Sequence, residues 1–160
     1  MSDLKKADLI LIGVSSPMIC GVYENFHLKK SFSSTARSAD AILEVFNLAF
    51  EYLEIFNMEL RSIFYAKGPG SFTSLKLVHI FLQTLCLDRN IKLYSVDSFY
   101  FNHKSPIKAF GNKYFIKNTS DDIHVQETDE KIDNVFSLPF ILEPKHFDTQ
   151  NIPLYILPPL

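Results

Sequence analysis

Tryptophan is absent from this chain, and cysteine and glycine are scarce, with two Cys and five Gly among 160 residues. Cys20 and Cys86 are too few for a disulfide scaffold. Both lie in apolar stretches, as small buried hydrophobes of a reducing compartment do. With eight Pro besides, the composition excludes collagen-like and low-complexity sequence. No apolar run reaches the roughly 20 residues that span a bilayer. Met1 to Asp8 carries two lysines and a short strand-like run, without the small-residue cleavage site of a signal peptide. The expectation is a cytoplasmic protein with no membrane contact. Metal ligation is also poorly provided for: His27, His79, His103, His124 and His146 are scattered, with no paired spacing. No Gly-x-Ser-x-Gly nucleophile elbow occurs.

What is present is apolar. Hydrophobic residues make up 47% of the chain, including 15 Phe and 7 Tyr, against 21% charged. That balance excludes a disordered chain. The length suits one domain or two small lobes, with about two thirds of the extended chain's surface buried on folding. The net charge of -2 conceals an asymmetry: residues 1–118 hold 14 Lys/Arg against 10 Asp/Glu, and residues 119–160 hold 2 against 8. A mildly basic body with an acidic tail is not a nucleic-acid signature by itself.

Asp8–Val14 is a nearly continuous apolar run, which suits a strand buried on both faces. Strands are expected next at Ile19–Tyr23 and Phe26–Phe32, close enough in sequence to be antiparallel neighbours. Ser38 can cap a helix running from Ala39 to about Met58. A strand at Ser62–Ala66, a tight loop Lys67–Ser74, a helix from Leu75 to about Asp88 and a strand at Leu93–Val96 follow. This order predicts an α/β layer arrangement with a mixed sheet. Further on, Ile107–Phe110 and Lys113–Ile116 flank Gly111–Asn112 as a hairpin. Asn118–Asn134 is polar, acidic and aperiodic, and reads as a loop. The end, Asn151–Leu160, reads as extended.

The loop Gly68-Pro69-Gly70-Ser71-Phe72-Thr73 joins a buried strand to a helix start. Glycines there admit positive φ and close approach, and Ser71 or Thr73 can cap the helix. Two readings stand side by side: a structural strand–helix turn, and an anion site at a helix N-terminus with Lys67 and Lys76 nearby. It is not a Walker A loop, because Gly-Lys-Ser/Thr is missing. Both helices are apolar on more than one stripe, which predicts that they pack together and share an apolar face with another subunit, the other reading being that the acidic segment or the proline-rich end covers them. Ile42, Phe46, Ala49, Val78, Phe81 and Leu82 are the candidate contacts. Lys104, Lys108, Lys113 and Lys117, near Phe110, Tyr114 and Phe115, read as a solvated strand face, with RNA phosphate contact as the other reading.

The run from Lys67 to Lys76 (KGPGSFTSLK), followed by a helix and by Leu93–Ser98 (LYSVDS), resembles the TsaB (YeaZ-like) family. That family carries Gly-Pro-Gly-Ser-Phe-Thr-Gly-(Leu/Val)-Arg and then a strand ending in Val-Ser-(Ser/Thr). The similarity is close from Arg61 to Ser98 and weaker at Leu9–Glu51 and Ile107–Ile116. Pro153–Leu157 looks like the family's late Pro-x-Tyr-Leu-Arg element. The resemblance implies an actin/hexokinase-like ATPase fold with RNase H-like lobes, here an N-terminal lobe over 1–100 and a truncated C-terminal lobe over 101–160 with the acidic loop 118–134. It implies a non-catalytic scaffold in making threonylcarbamoyladenosine in tRNA: a partner of the catalytic subunit TsaD through N-lobe helices, joined by the TsaE ATPase. A homodimer through the same surface is implied too, with tRNA touched only indirectly. The implied nucleotide contacts are Gly68, Gly70, Ser71 and Thr73. The chain itself requires no cofactor, and any ATP or ADP belongs to the complex interface.

The departures from the family pattern are specific. Val14 and Ser15 stand where the family's first strand ends in Asp-Thr. Ser74 replaces the loop's last Gly, and Lys76 replaces the Arg. Val78, Ile80 and Thr84 are bulkier than the family's small residues. The Asp-Ala-Arg-x-x-Glu-Val-Tyr hairpin is reduced to Ala109–Phe115, without its acidic residues. These point to a minimal scaffold without catalysis of its own. The rivals are a small-molecule kinase or ATPase of the same superfamily, with Asp97 as its remaining carboxylate, and a stand-alone homodimeric binding protein.

Overall fold

The structure is a computed structural model and describes residues 4–133 and 135–156. Residues 1–3, Asn134 and the end of the expected Pro153–Leu157 element lie outside the described residues.

Eight strands and two long helices are described. In chain order they are β1 (Lys5–Ile12), β2 (Met18–Glu24), β3 (His27–Ser34), α1 (Ser38–Ile55), β4 (Met58–Ala66), α2 (Phe72–Arg89), β5 (Lys92–Val96), β6 (Ile107–Phe110), β7 (Lys113–Lys117) and β8 (Ile123–Glu127). Five strands form one sheet in the order β3-β2-β1-β4-β5. β1, β2 and β3 pair antiparallel as a meander, and β4 and β5 run parallel to β1. β6, β7 and β8 form a separate antiparallel sheet. The mixed α/β arrangement expected from the sequence is therefore present.

The apolar run of β1 has a physical reason. Successive side chains of a strand point to opposite faces, and both faces here are covered. Leu9 and Leu11 pack with α1, α2, Ile63 and Tyr65 in one core. Ile10 and Ile12 pack with Phe64, Phe99, Phe115 and Phe147 in a second core on the other face. Each fully buried Leu, Ile or Phe contributes about 1.5–3 kcal/mol, so the second half of the chain is joined to the sheet by a shared apolar layer.

Three expectations change. Residues 118–134 are not loop throughout, because β8 pairs with β7 over Ile123–Glu127. α2 begins three residues earlier than expected, at Phe72. Arg37, not Ser38, is the N-cap residue of α1; the Ser38 hydroxyl instead lies 2.5 Å from that of Ser74 on α2.

At the opposite end of the sheet Asp8, 1% exposed, receives two hydrogen bonds from Arg61, at 2.6 and 3.2 Å. The β1–β4 register skips Arg61, a bulge of the kind that re-aims a side chain. The guanidinium also lies over the Phe26 ring, 5.3 Å from its centroid.

Candidate functional site

The loop before α2 is built from both ends. At its start Gly68 has φ +115°, a conformation that L side chains rarely adopt. At its end Ser71 caps α2, its hydroxyl accepting from the Ser74 amide at 3.5 Å. Thr73 and Lys76 are exposed in the first turn.

The loop's close approaches are to the chain itself. A Cβ on Gly68 would stand 2.8 Å from the Leu154 carbonyl oxygen, and one on Gly70 would stand 2.6 Å from both Cβ and O of Val14. The Ser71 amide donates to Val14 O (2.9 Å), the Ser98 amide to Gly68 O (2.8 Å), and the Leu154 amide to Lys67 O (2.7 Å). Lys67 Nζ donates to Gln150 O at 2.9 Å. Of the two readings of this loop, the structural turn accounts for both glycines. Val14 occupies the space against Gly70, at the position where the resemblance implies an Asp. The space a Cβ would take at Gly68 and Gly70 is filled by Leu154 and Val14.

Asp97, the remaining carboxylate for a kinase reading, is committed elsewhere. Its side chain accepts from the Phe99 amide (3.0 Å), capping a short turn at Ser98–Phe101, and pairs with Lys117 at 2.6 Å. That ion pair takes Lys117 out of the basic group read from the sequence. The remaining three lysines do not share a face. Lys108 lies opposite Tyr114, whereas Lys113 is on the alternate side of β7, over the Phe110 ring. Among the described residues no cluster of His, Cys, Asp and Glu could hold a metal.

Of the six expected interface residues, Ile42, Phe46, Ala49, Val78 and Leu82 are buried in the chain's own helix–sheet core, none more than 4% exposed. They are the stripe that packs on the sheet. Phe81 is half-buried, its ring 5.0 Å from that of Phe46 where the two helices meet. Outward apolar residues include Leu43, Leu48 and Ile55 on α1 and Phe72, Ile80 and Leu87 on α2, with exposures of 53, 43, 67, 42, 61 and 87%. Phe50, Leu77 and Leu85 are half-buried beside them. Periodicity alone does not find these residues, because both helices carry apolar residues on every side. His79 lies partly within α2's packing, and burial pushes its pKa down. Beneath the same helix the Tyr65 phenol is pushed up to about 12 by desolvation.

A five-stranded sheet of order 3-2-1-4-5, with two helices on one face and the residues of a three-stranded sheet packed on the other, is an actin/hexokinase-like fold. Residues 33–109, just under half of the chain, match the family model described as TsaD: tRNA N6-adenosine threonylcarbamoyltransferase. Among solved structures the chain is similar to YeaZ from Pseudomonas aeruginosa, at 12% identity and a TM-score of 0.59 over 78% of this chain and 61% of that one. It is also similar to a Pseudomonas aeruginosa structure described as an uncharacterized protein with similarity to peptidase YEAZ. There the identity is 11% and the TM-score 0.59, over 79% of this chain and 69% of that one. The chain thus spans less than two thirds of the YeaZ structure. No curated protein matches it. No described helix is long and apolar enough to cross a membrane.

Proposed function

We propose that this chain is a non-catalytic partner of a TsaD-like subunit in threonylcarbamoyladenosine synthesis on tRNA, docking through the outer face of α1 and α2. The family-model match to residues 33–109 and the YeaZ-type fold support the pathway. The observation that carries the docking role is the outward row Leu43, Ile80 and Leu87, with Phe50, Leu77 and Phe81 behind it. Exposed large apolar side chains on two helices that pack together suit an interaction site. The loop of Gly68, Gly70, Ser71 and Thr73 serves this reading by fixing where α2 starts, and any ATP or ADP belongs to the assembled complex with its TsaE-like ATPase.

Light scattering after size exclusion tests this, on the chain alone and mixed with the TsaD-like subunit of the same organism. A one-to-one complex is expected, lost in Ile80→Glu and Leu43→Glu with the fold retained. Both positions are exposed, so a charge there costs the monomer little, unlike one at buried Phe46. A chain that ignores TsaD and stays monomeric sinks the reading. A homodimer that the same substitutions break, without TsaD binding, transfers the face to a second copy.

A further inference from the structure

Residues 148–156 lie outside the described strands and helices, yet they touch three parts of the fold. Asp148 exchanges both main-chain hydrogen bonds with Ser95, at 2.9 Å each, bridging the outer edge of β5. Asn151 spans the same edge: Ser95 Oγ donates to its Oδ1 (2.8 Å), and its Nδ2 donates to Leu93 O (3.0 Å). At the loop before α2, the Leu154 amide bonds Lys67 O, and its carbonyl fills the space on Gly68. Lys67 Nζ reaches across to Gln150 O and, at 3.3 Å, to Asp148. Beyond it Tyr155 packs edge-on against Phe72, with ring centroids 5.8 Å apart.

These contacts are mostly polar. Phe147, just before them, is anchored 4.9 Å from the Phe64 ring in the core, but residues 148–150, 152 and 155 are exposed. Apolar burial in the segment is confined to half-buried Pro153, Leu154 and Ile156, the last packed against the second core, and a segment held chiefly by hydrogen bonds opens at lower free energy than the core beneath it. It also covers a sheet edge, whose free N–H and C=O groups would otherwise offer a template for pairing.

We propose that residues 148–156 are a releasable strap, latched by Lys67 and Asn151, whose opening uncovers the β5 edge and the Gly68 loop together while the sheet stays folded. Lys67 is the positioning residue, because its ammonium crosses from the loop to the strap, the one charged group to do so among the described residues. Ser95, buried in the edge strand, receives the other end. The strap stands independently of the partner reading above.

Native-state amide exchange of the full chain, followed by NMR, tests this. The Asp148 and Leu154 amides report on the strap, and the Ile10 and Leu11 amides report on the core. Lys67→Met is expected to speed both strap amides by about tenfold or more, the effect of losing one charge-assisted hydrogen bond. The β1 amides are expected to stay within about twofold of the parent, as a local opening requires. Lys67→Arg keeps the parent rates, and Asn151→Ala accelerates Leu154 as well as Asp148. Unchanged strap rates in Lys67→Met overturn the latch. A response of Asp148 without Leu154 shows two independent contacts rather than one strap. Equal acceleration of β1 shows that the segment opens only with the whole domain.

Discussion

Gly70→Ala separates a glycine kept for packing from one kept for a ligand. The added methyl would sit 2.6 Å from Val14 Cβ and 2.6 Å from Val14 O. Ordinary contacts are about 3.5–4.0 Å between carbons and about 3.3–3.6 Å from carbon to oxygen, so the pair must separate by nearly 1 Å. Val14 is 1% exposed, two residues beyond the end of β1, and packs in the second core, which holds it against moving. The loop therefore moves, straining the 2.9 Å bond from the Ser71 amide to Val14 O. Overpacking costs about 1–3 kcal/mol and the weakened hydrogen bond about 0.5–1.5 kcal/mol. Together about 2–4 kcal/mol is expected. At about 2–4 °C per kcal/mol for a chain of this size, Tm falls by about 4–16 °C. Urea unfolding followed by circular dichroism measures the difference. Adding Val14→Ala should not restore stability, because the clash with the carbonyl oxygen remains. A Gly70→Ala chain within about 0.5 kcal/mol of the parent, the range of a neutral surface change, would refute the packing argument and return the loop to a ligand.

At Asp8–Arg61 the two partners differ in exposure, 1% against 43% for the side chains, so the single substitutions should differ in cost. Arg61→Met strands a buried carboxylate and should cost about 3–5 kcal/mol, whereas Asp8→Asn leaves a solvated guanidinium and should cost about 1–3 kcal/mol; the reverse order in urea unfolding contradicts the reading. Burial pushes the Cys20 thiol up to about 12 and the Cys86 thiol up to about 11, from an ordinary 9.0. Both should ignore a thiol reagent at pH 8 until the chain unfolds, and since unfolded thiols ionise first, stability should fall as pH rises above about 9; rapid labelling of the native chain would count against this burial.

Much of the local structure was legible in the residues. Alternating burial on the two faces of β1 explains why Asp8–Val14 reads as one apolar run. The Gly-Pro-Gly-Ser loop announced a strand-to-helix junction, and Ser71 caps it. β8 escaped notice because Ile123–Glu127 offers only Ile123 and Val125 to one side, and a weak two-residue alternation beside acidic residues resembles a loop. Ser38 has the chemistry of an N-cap, but its hydroxyl found Ser74, a partner 36 residues away. Five of the six candidate contacts lie in the chain's own core for a related reason. A helix apolar all round does not state which stripe the sheet will take, and the sheet took Ile42, Phe46, Ala49, Val78 and Leu82.

By itself the sequence determined most of the elements, the mixed sheet and the resemblance, because strand alternation, helix capping and turn chemistry act within a few neighbouring residues. Tertiary structure decided what fills the space beside each glycine, which helical stripe stays outside and where residues 148–156 lie. Val14 meets Gly70 and Leu154 meets Gly68 across 56 and 86 residues of chain. Contacts at such separations depend on how whole layers pack, and no local pattern encodes them.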